Sequence, residues 1–430
     1  MALLENLKIA FERVEAEGMV PIHAAEAEIM EFVDHIKQHL TRDPELVFAV
    51  LRRVKPVLYL KNKNLALVTR YDDVQEVLSR DDIFLVTYEQ KMRAITGGPN
   101  FFLGMQNSPE YERDVAHMRT VIRREDIPSV IAPLVAKTAE ELVAASSGPL
   151  DVVSQLSKIV PARWVAAYFG CPPPSEQELA DWASVIFQYL FADLNNDSAV
   201  GKAANDAAEK VRSWLDQSIA NRKAHPANTD DVLNRCLALQ KAGVPAMDDL
   251  GIRNNLLGLL VGAIPTTSKC CAQALDELLK RPAELERAQA SAASNDGPLV
   301  AQYVFEALRF NPNNPGVFRI AAQDFTVAEG SMRETLIPKG TAVVAATQSA
   351  MFDDHVVDSP GEFRVGRSNH SYMHWGYGLH ACFGQYINQV QIPGILKPLL
   401  RRKGLRRAAG DAGQLQYSGP FPSSLKVEYN

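Results

Sequence analysis

No apolar run in the 430 residues is long enough to span a bilayer as a helix, so a membrane-spanning helix is not expected. Nor is positive charge in excess: 45 Lys and Arg stand against 51 Asp and Glu, a net of −6, so general nucleic-acid binding is excluded. Cysteine is scarce, with five residues at 171, 236, 270, 271 and 382. An odd number at irregular spacing gives no disulfide framework and suits a reducing compartment. The adjacent Cys270-Cys271 has neither metal nor redox spacing and reads as helix packing. Over Met1 to Met19, charged Glu5, Lys8, Glu12, Arg13, Glu15 and Glu17 alternate with apolar residues. That pattern is an amphipathic helix, not a signal peptide or membrane anchor. A cytoplasmic protein without membrane contact is expected.

What is present centres on His374-Trp375-Gly376-Tyr377-Gly378-Leu379-His380-Ala381-Cys382-Phe383-Gly384. A cysteine lies among glycines, directly before a segment, Gly384 to about Lys397, that can open a helix. Free backbone N–H groups and the positive end of the helix dipole favour a thiolate at Cys382. Gly376, Gly378 and Gly384 allow a tight loop that can approach a flat partner closely. Such a sulfur can be an iron ligand, a nucleophile, a redox thiol or an inert core cysteine. Two further stretches narrow the choice. Glu306 and Arg309 stand three apart on one helix face, where they can pair. Gly262-Ala263-Ile264-Pro265-Thr266-Thr267 sets a proline and two hydroxyls in a long apolar helix.

Together these motifs resemble the cytochrome P450 family of haem-thiolate proteins, over nearly the full length. The family's haem loop has an aromatic seven residues before the cysteine, glycine four before, a basic residue two before and glycine two after. Trp375, Gly378, His380 and Gly384 fill those places around Cys382. The family's Glu-x-x-Arg pair matches Glu306 and Arg309, and its oxygen-binding helix matches Gly262 to Thr267. The resemblance implies one mainly α domain over 1–430, a large helical body with small β-sheets. It also implies haem b, with Cys382 on the iron and Gly376 within the loop. An arginine near Arg367 joins the Glu306–Arg309 pair in the family, which makes a fixed scaffold under the loop. Arg319 stands where the family reaches one haem propionate. Arg119 stands where it reaches the other, with His117 as a displaced partner; an ordinary solvated basic face explains these two equally well. Zinc on His370, His374, His380 and Cys382 is loosely permitted by spacing, but the glycines and the helix start suit a macrocycle better.

Along the chain, Val57–Leu60 and Leu65–Thr69 read as a hairpin, and Asp72 as the cap of a helix through Leu78. A basic helix runs from about Glu110 to Arg124. Helical patterns over 130–220 break at Cys171-Pro172-Pro173-Pro174, and an aromatic stripe follows at Trp182, Phe187, Tyr189 and Phe191. A long helix is expected from Asp248 to Leu279. Val317–Ala321 reads as a strand, and Leu336 to Ala346 resembles the family's hairpin. The apolar residues Phe101, Phe102, Leu103, Leu259 and Ala263 are taken as substrate-pocket candidates.

One departure matters for chemistry. The family has an acid immediately before its threonine, and this chain has Pro265. Thr266 and Thr267 remain as catalytic hydroxyls, without a carboxylate to shuttle protons. The resemblance implies a monooxygenase that hydroxylates a small apolar molecule with dioxygen and electrons from a ferredoxin, for which Arg401, Arg402, Arg406 and Arg407, with Arg123 and Arg124, could form a basic patch. Pro265 motivates an alternative, an enzyme whose peroxide or hydroperoxide substrate needs no reductase. A third reading is a haem protein that binds a ligand without turnover.

Overall fold

In a computed structural model, the described residues are 44–430 apart from 147 and 194, so the expected helix over Met1 to Met19 lies outside them. The chain divides into two units, Met1–Lys55 and Pro56–Asn430. In the first, the helix Pro44–Val54 carries an Arg52–Glu45 ion pair at 2.6 Å.

The second unit is mainly helical, with small sheets, as expected from the sequence. Its axis is the helix Asp249–Leu279, which starts where Asp248 accepts a hydrogen bond from the Gly251 N–H. Buried residues recur all round this helix, so it must be wrapped by others. Helices Ile159–Phe169, Glu176–Phe187, Ser198–Ala224, Gly297–Phe310 and Gln385–Leu400 pack on it. The helix continues through Pro265, whose missing N–H leaves the Val261 carbonyl without its usual partner. On the same helix Gly258 is a steric requirement: a Cβ there would lie 2.2 Å from the Phe101 ring.

The larger sheet has the order Val57–Leu60, Leu65–Val68, Ala342–Ala345, Val317–Ala321, Phe84–Leu85. Leu65–Val68 and Ala342–Ala345 are parallel and the other pairs antiparallel. The 57–68 hairpin forms as read, with Asn64 taking the left-handed conformation at its turn. Leu336 to Ala346 is not a hairpin. Thr335–Ile337 pairs with Phe325–Val327, and residues 338–341 carry the chain across to the larger sheet, where Val343 and Ala345 are fully buried. Asp72 does not cap its helix either. That helix is Tyr71–Ser79, and the Tyr71 N–H is met by the Asp353 carboxylate, 282 residues away, at 2.9 Å.

Beneath the long helix, Glu306 and Arg309 on Gly297–Phe310 are completely buried and form two hydrogen bonds, at 2.8 and 3.1 Å. Glu306 also accepts from Arg367 Nε, the Arg364 N–H and the Tyr372 hydroxyl. Arg309 donates to the carbonyls of Met351, Pro360 and Glu362. Both charges are thus satisfied, and the segment from 351 to 372 that leads into the cysteine loop is tied to one helix. Burial acts to raise the Glu306 carboxyl, but Arg309, the Arg364 N–H and Arg367 outweigh it and hold it below the usual range.

Two outcomes follow for stability. Gly258→Ala drives the Phe101 ring out of place and should cost about 1–3 kcal/mol in urea denaturation, a loss that shrinks in a Phe101→Leu background. Glu306→Gln leaves Arg309 and Arg367 without their anion and should cost about 3–5 kcal/mol at neutral pH. Because the Glu306 carboxyl is depressed, its contribution is present above its unfolded pKa and lost as pH falls through the folded one. The wild-type stability should therefore fall more steeply than that of the variant below about pH 4.

Candidate functional site

The Cys382 N–H donates to the Trp375 carbonyl at 2.8 Å and folds the loop back on itself. Gly376 and Gly378 have φ of 71° and 73°, and a Cβ at Gly378 would lie 2.3 Å from the Leu78 carbonyl. Only glycine fits that turn. Gly384 then caps the helix Gln385–Leu400, and its N–H is directed at the Cys382 sulfur. Burial has the larger effect on the bare side chain and pushes the thiol up. An anionic sulfur here needs a cation against it, as a bound metal ion provides.

Cys382 lies in the wall of a cavity of about 300 Å³. The wall is largely apolar, with Leu103, Phe187, Phe191, Leu259, Ala263 and Ile387 among its residues, and no Asp or Glu among the described residues belongs to it. Its charged side chain is Arg319, on the strand Val317–Ala321. This arginine is 4% exposed, donates to the neighbouring Phe318 carbonyl at 2.9 Å and forms no ion pair among the described residues. His380 is beside it, with Nδ1 buried and unpartnered. Burial and then the Arg319 charge push the imidazole down to about 4, so it is neutral at ordinary pH. Its ring packs on Tyr111 at 5.0 Å. One soft sulfur, one unpaired guanidinium and one unpaired imidazole nitrogen on a single apolar cavity are a donor set that could hold an iron macrocycle bearing carboxylates.

Of the other residues singled out, Trp375, Gly376, Gly384, Thr266 and Thr267 also line the cavity. The Thr266 hydroxyl donates to the Gly262 carbonyl at 2.5 Å. Phe101 and Phe102 do not line it. They are 1% exposed in the core, Phe101 against Gly258 and Phe102 against Phe383 and Tyr111. Arg119 and His117 are also off the wall. On the helix Pro109–Val121 the inward face is Tyr111, Asp114, Met118 and Val121, so 117 and 119 flank it. Arg119 is exposed, with its guanidinium 4.9 Å from the centre of the Phe383 ring. The zinc alternative finds no geometry: the one metal-like cluster among the described residues is Asp353-Asp354-His355, while His374 Nε2 bonds the Phe305 carbonyl at 3.0 Å. The basic residues near 401–407 are engaged internally, Arg406 with Glu428 and Arg407 with Asp276.

A polar chain escaped the sequence reading. Trp164 Nε1 donates to Gln391 Oε1 at 2.7 Å, Gln391 Nε2 donates to Thr267 Oγ1 at 2.9 Å and to Asn388 Oδ1, and all four residues line the cavity. Asn388 and Gln391 share a face of the helix after Cys382, which hinted at a buried role, but Trp164 is 227 residues distant from Gln391 and carried no signal.

The model of the family described as Cytochrome P450 matches residues 175–406. The chain is 24% identical to the "Bifunctional dioxygenase (DOX)-epoxy alcohol synthase (EAS)" of Fusarium oxysporum over 84% of its own length but only 32% of that protein. It is 26% identical to the "Mycinamicin IV hydroxylase/epoxidase" of Micromonospora griseorubida, over 82% of this chain and 85% of the other. Among solved structures, P450BioI in complex with an acyl carrier protein superposes with a TM-score of 0.77 at 18% identity, covering 91% of this chain and 100% of that one. Cytochrome P450 TbtJ1 does so at 0.74 and 22%, covering 90% and 97%. With more than half of its residues inside the family's sequence pattern and its fold shared almost throughout, the chain belongs to the cytochrome P450 family.

Proposed function

We propose that this P450, a haem b oxidoreductase of the monooxygenase class by family, oxidises a small apolar molecule held in the cavity beside Cys382, with electrons from a ferredoxin. The observation that carries the reading is the sulfur of Cys382 in the wall of an otherwise apolar cavity. Haem, when bound, supplies the redox chemistry, and electron donation from a thiolate ligand favours O–O cleavage. The protein's part is positioning. Cys382 would hold the iron, and the backbone N–H of Gly384 would partly offset the charge on sulfur. Arg319 and His380 would meet the carboxylates, Arg319 gaining an ion pair and His380 Nδ1 a hydrogen-bond partner. Leu103, Phe187, Leu259 and Ala263 exclude water and orient the substrate by shape. The Glu306–Arg309–Arg367 cluster keeps the loop fixed.

A second reading, a peroxide or hydroperoxide as substrate, is favoured by the same cavity. It has no carboxylate to supply a proton, and the Thr266 hydroxyl is committed to Gly262. The Fusarium relative is named in part an epoxy alcohol synthase, so the resemblance extends to proteins whose names are not those of hydroxylases.

Reduced protein with carbon monoxide should show a strongly red-shifted Soret band that Cys382→Ala loses; a band at the position of nitrogen-ligated haem would sink the assignment. Turnover with NADPH, reductase and ferredoxin should exceed turnover with cumene hydroperoxide alone. The reverse ranking decides for the second reading.

A further inference from the structure

Lys269 is a cation with no assigned task. It lies on the helix Asp249–Leu279, one turn beyond Thr266, and is only partly exposed. None of the ion pairs or side-chain hydrogen bonds found among the described residues includes it. Its surroundings are apolar: the amine lies 6.0 Å from the centre of the Phe421 ring, on its face, and that ring packs at 5.5 Å on Phe187, a residue of the cavity wall. Burial pushes the amine down to about 8, with a small opposing effect of Cys270. Holding an ammonium group in such a place without an anion is costly, and an anionic ligand beside it would offset that cost.

The helix geometry directs it to the cavity. Side chains on a helix lean toward its N-terminus, so the stem of Lys269 runs back over the turn that carries Pro265 and Thr266. One turn further, Gly262 lines the cavity, and nothing lies within 4 Å of the point where its Cβ would be. Lys269 is not itself in the wall, but Thr266, Thr267 and Cys270 beside it are, and its long flexible stem can carry the amine to the Phe187 end of the cavity. The wall has no carboxylate of its own to compete for that amine.

We propose that Lys269 binds the carboxylate of the substrate, so that the molecule oxidised is an anionic amphiphile: an apolar body in the cavity beside Cys382 and one carboxylate at the Phe187–Phe421 end. The inference rests on the haem-thiolate reading. Arg319 is a second unpaired cation on the wall, but it is on the side of His380 and is assigned to the cofactor's own carboxylates, which leaves Lys269 for the substrate.

The test is Soret-band titration of the haem-loaded protein with straight-chain alkanoates of 12 to 16 carbons and with their methyl esters. A charge-assisted hydrogen bond should make each acid bind about tenfold or more tightly than its ester. Lys269→Met should reduce that ratio to about one while leaving ester binding unchanged, and Lys269→Arg should retain the preference. Equal binding of acid and ester by the wild type, or an undiminished preference in Lys269→Met, overturns the proposal, the latter in favour of Arg319. If Lys269→Met does not fold, Lys269→Gln serves the same comparison. Preparations that take up no haem strike the haem-thiolate reading instead, and calorimetry with the same acid and ester pairs then decides the carboxylate site separately.

Discussion

A single carboxylate kept charged without water is what the presentation of the sulfur depends on. Glu306 is completely buried, and it remains an anion because two guanidinium groups, a backbone N–H and a phenol surround it. The bonds reach in two directions, inward to Arg309 on the same helix and outward to the chain between 358 and 372. A buried ion pair contributes little net stability when its desolvation is counted, yet removing one partner is severe. The arrangement therefore acts less as a source of stability than as a requirement of geometry. The chain entering the cysteine loop has one position relative to the helix behind it, and Cys382 inherits that position.

Much of this was legible because the relevant signals are local. A cysteine among glycines ahead of a helix, an acid and a base three apart, and a hairpin with Asn64 at its turn are all short-range patterns with short-range causes. The 31-residue helix was read almost to the residue, since an aspartate cap and an unbroken apolar pattern mark it. What could not be read depends on partners far along the chain. Asp72 looked like a cap, but the cap is Asp353. Leu336 to Ala346 resembles a hairpin of the family, but its two strands pair with other strands and not with each other. Phe101 and Phe102 have the composition of a pocket and the positions of a core. The thiolate expectation counted the dipole and N–H groups and left out the desolvation of the sulfur, which a cation against it would have to offset.

The chemistry of the cavity is defined as much by what its wall omits. With no carboxylate in the wall and both nearby imidazoles neutral, fixed negative charge is absent and positive charge rests on Arg319. Such an enclosure is hospitable to anions and to apolar surface, and inhospitable to cations. Pro265 fits that pattern, since it takes a position where the family carries an acid and leaves the Val261 carbonyl unpaired by the helix itself.

The chain of side chains from Trp164 has a direction. An indole can only give a hydrogen bond, so the oxygen of Gln391 must face it and the amino group of Gln391 must face Thr267 and Asn388. Asn388 then answers with its own oxygen, and its amino group is left turned away from the chain. A tryptophan remote in sequence thus fixes the sense of both amides beside the cavity, with the oxygens of Gln391 and Asn388 both engaged inside the protein.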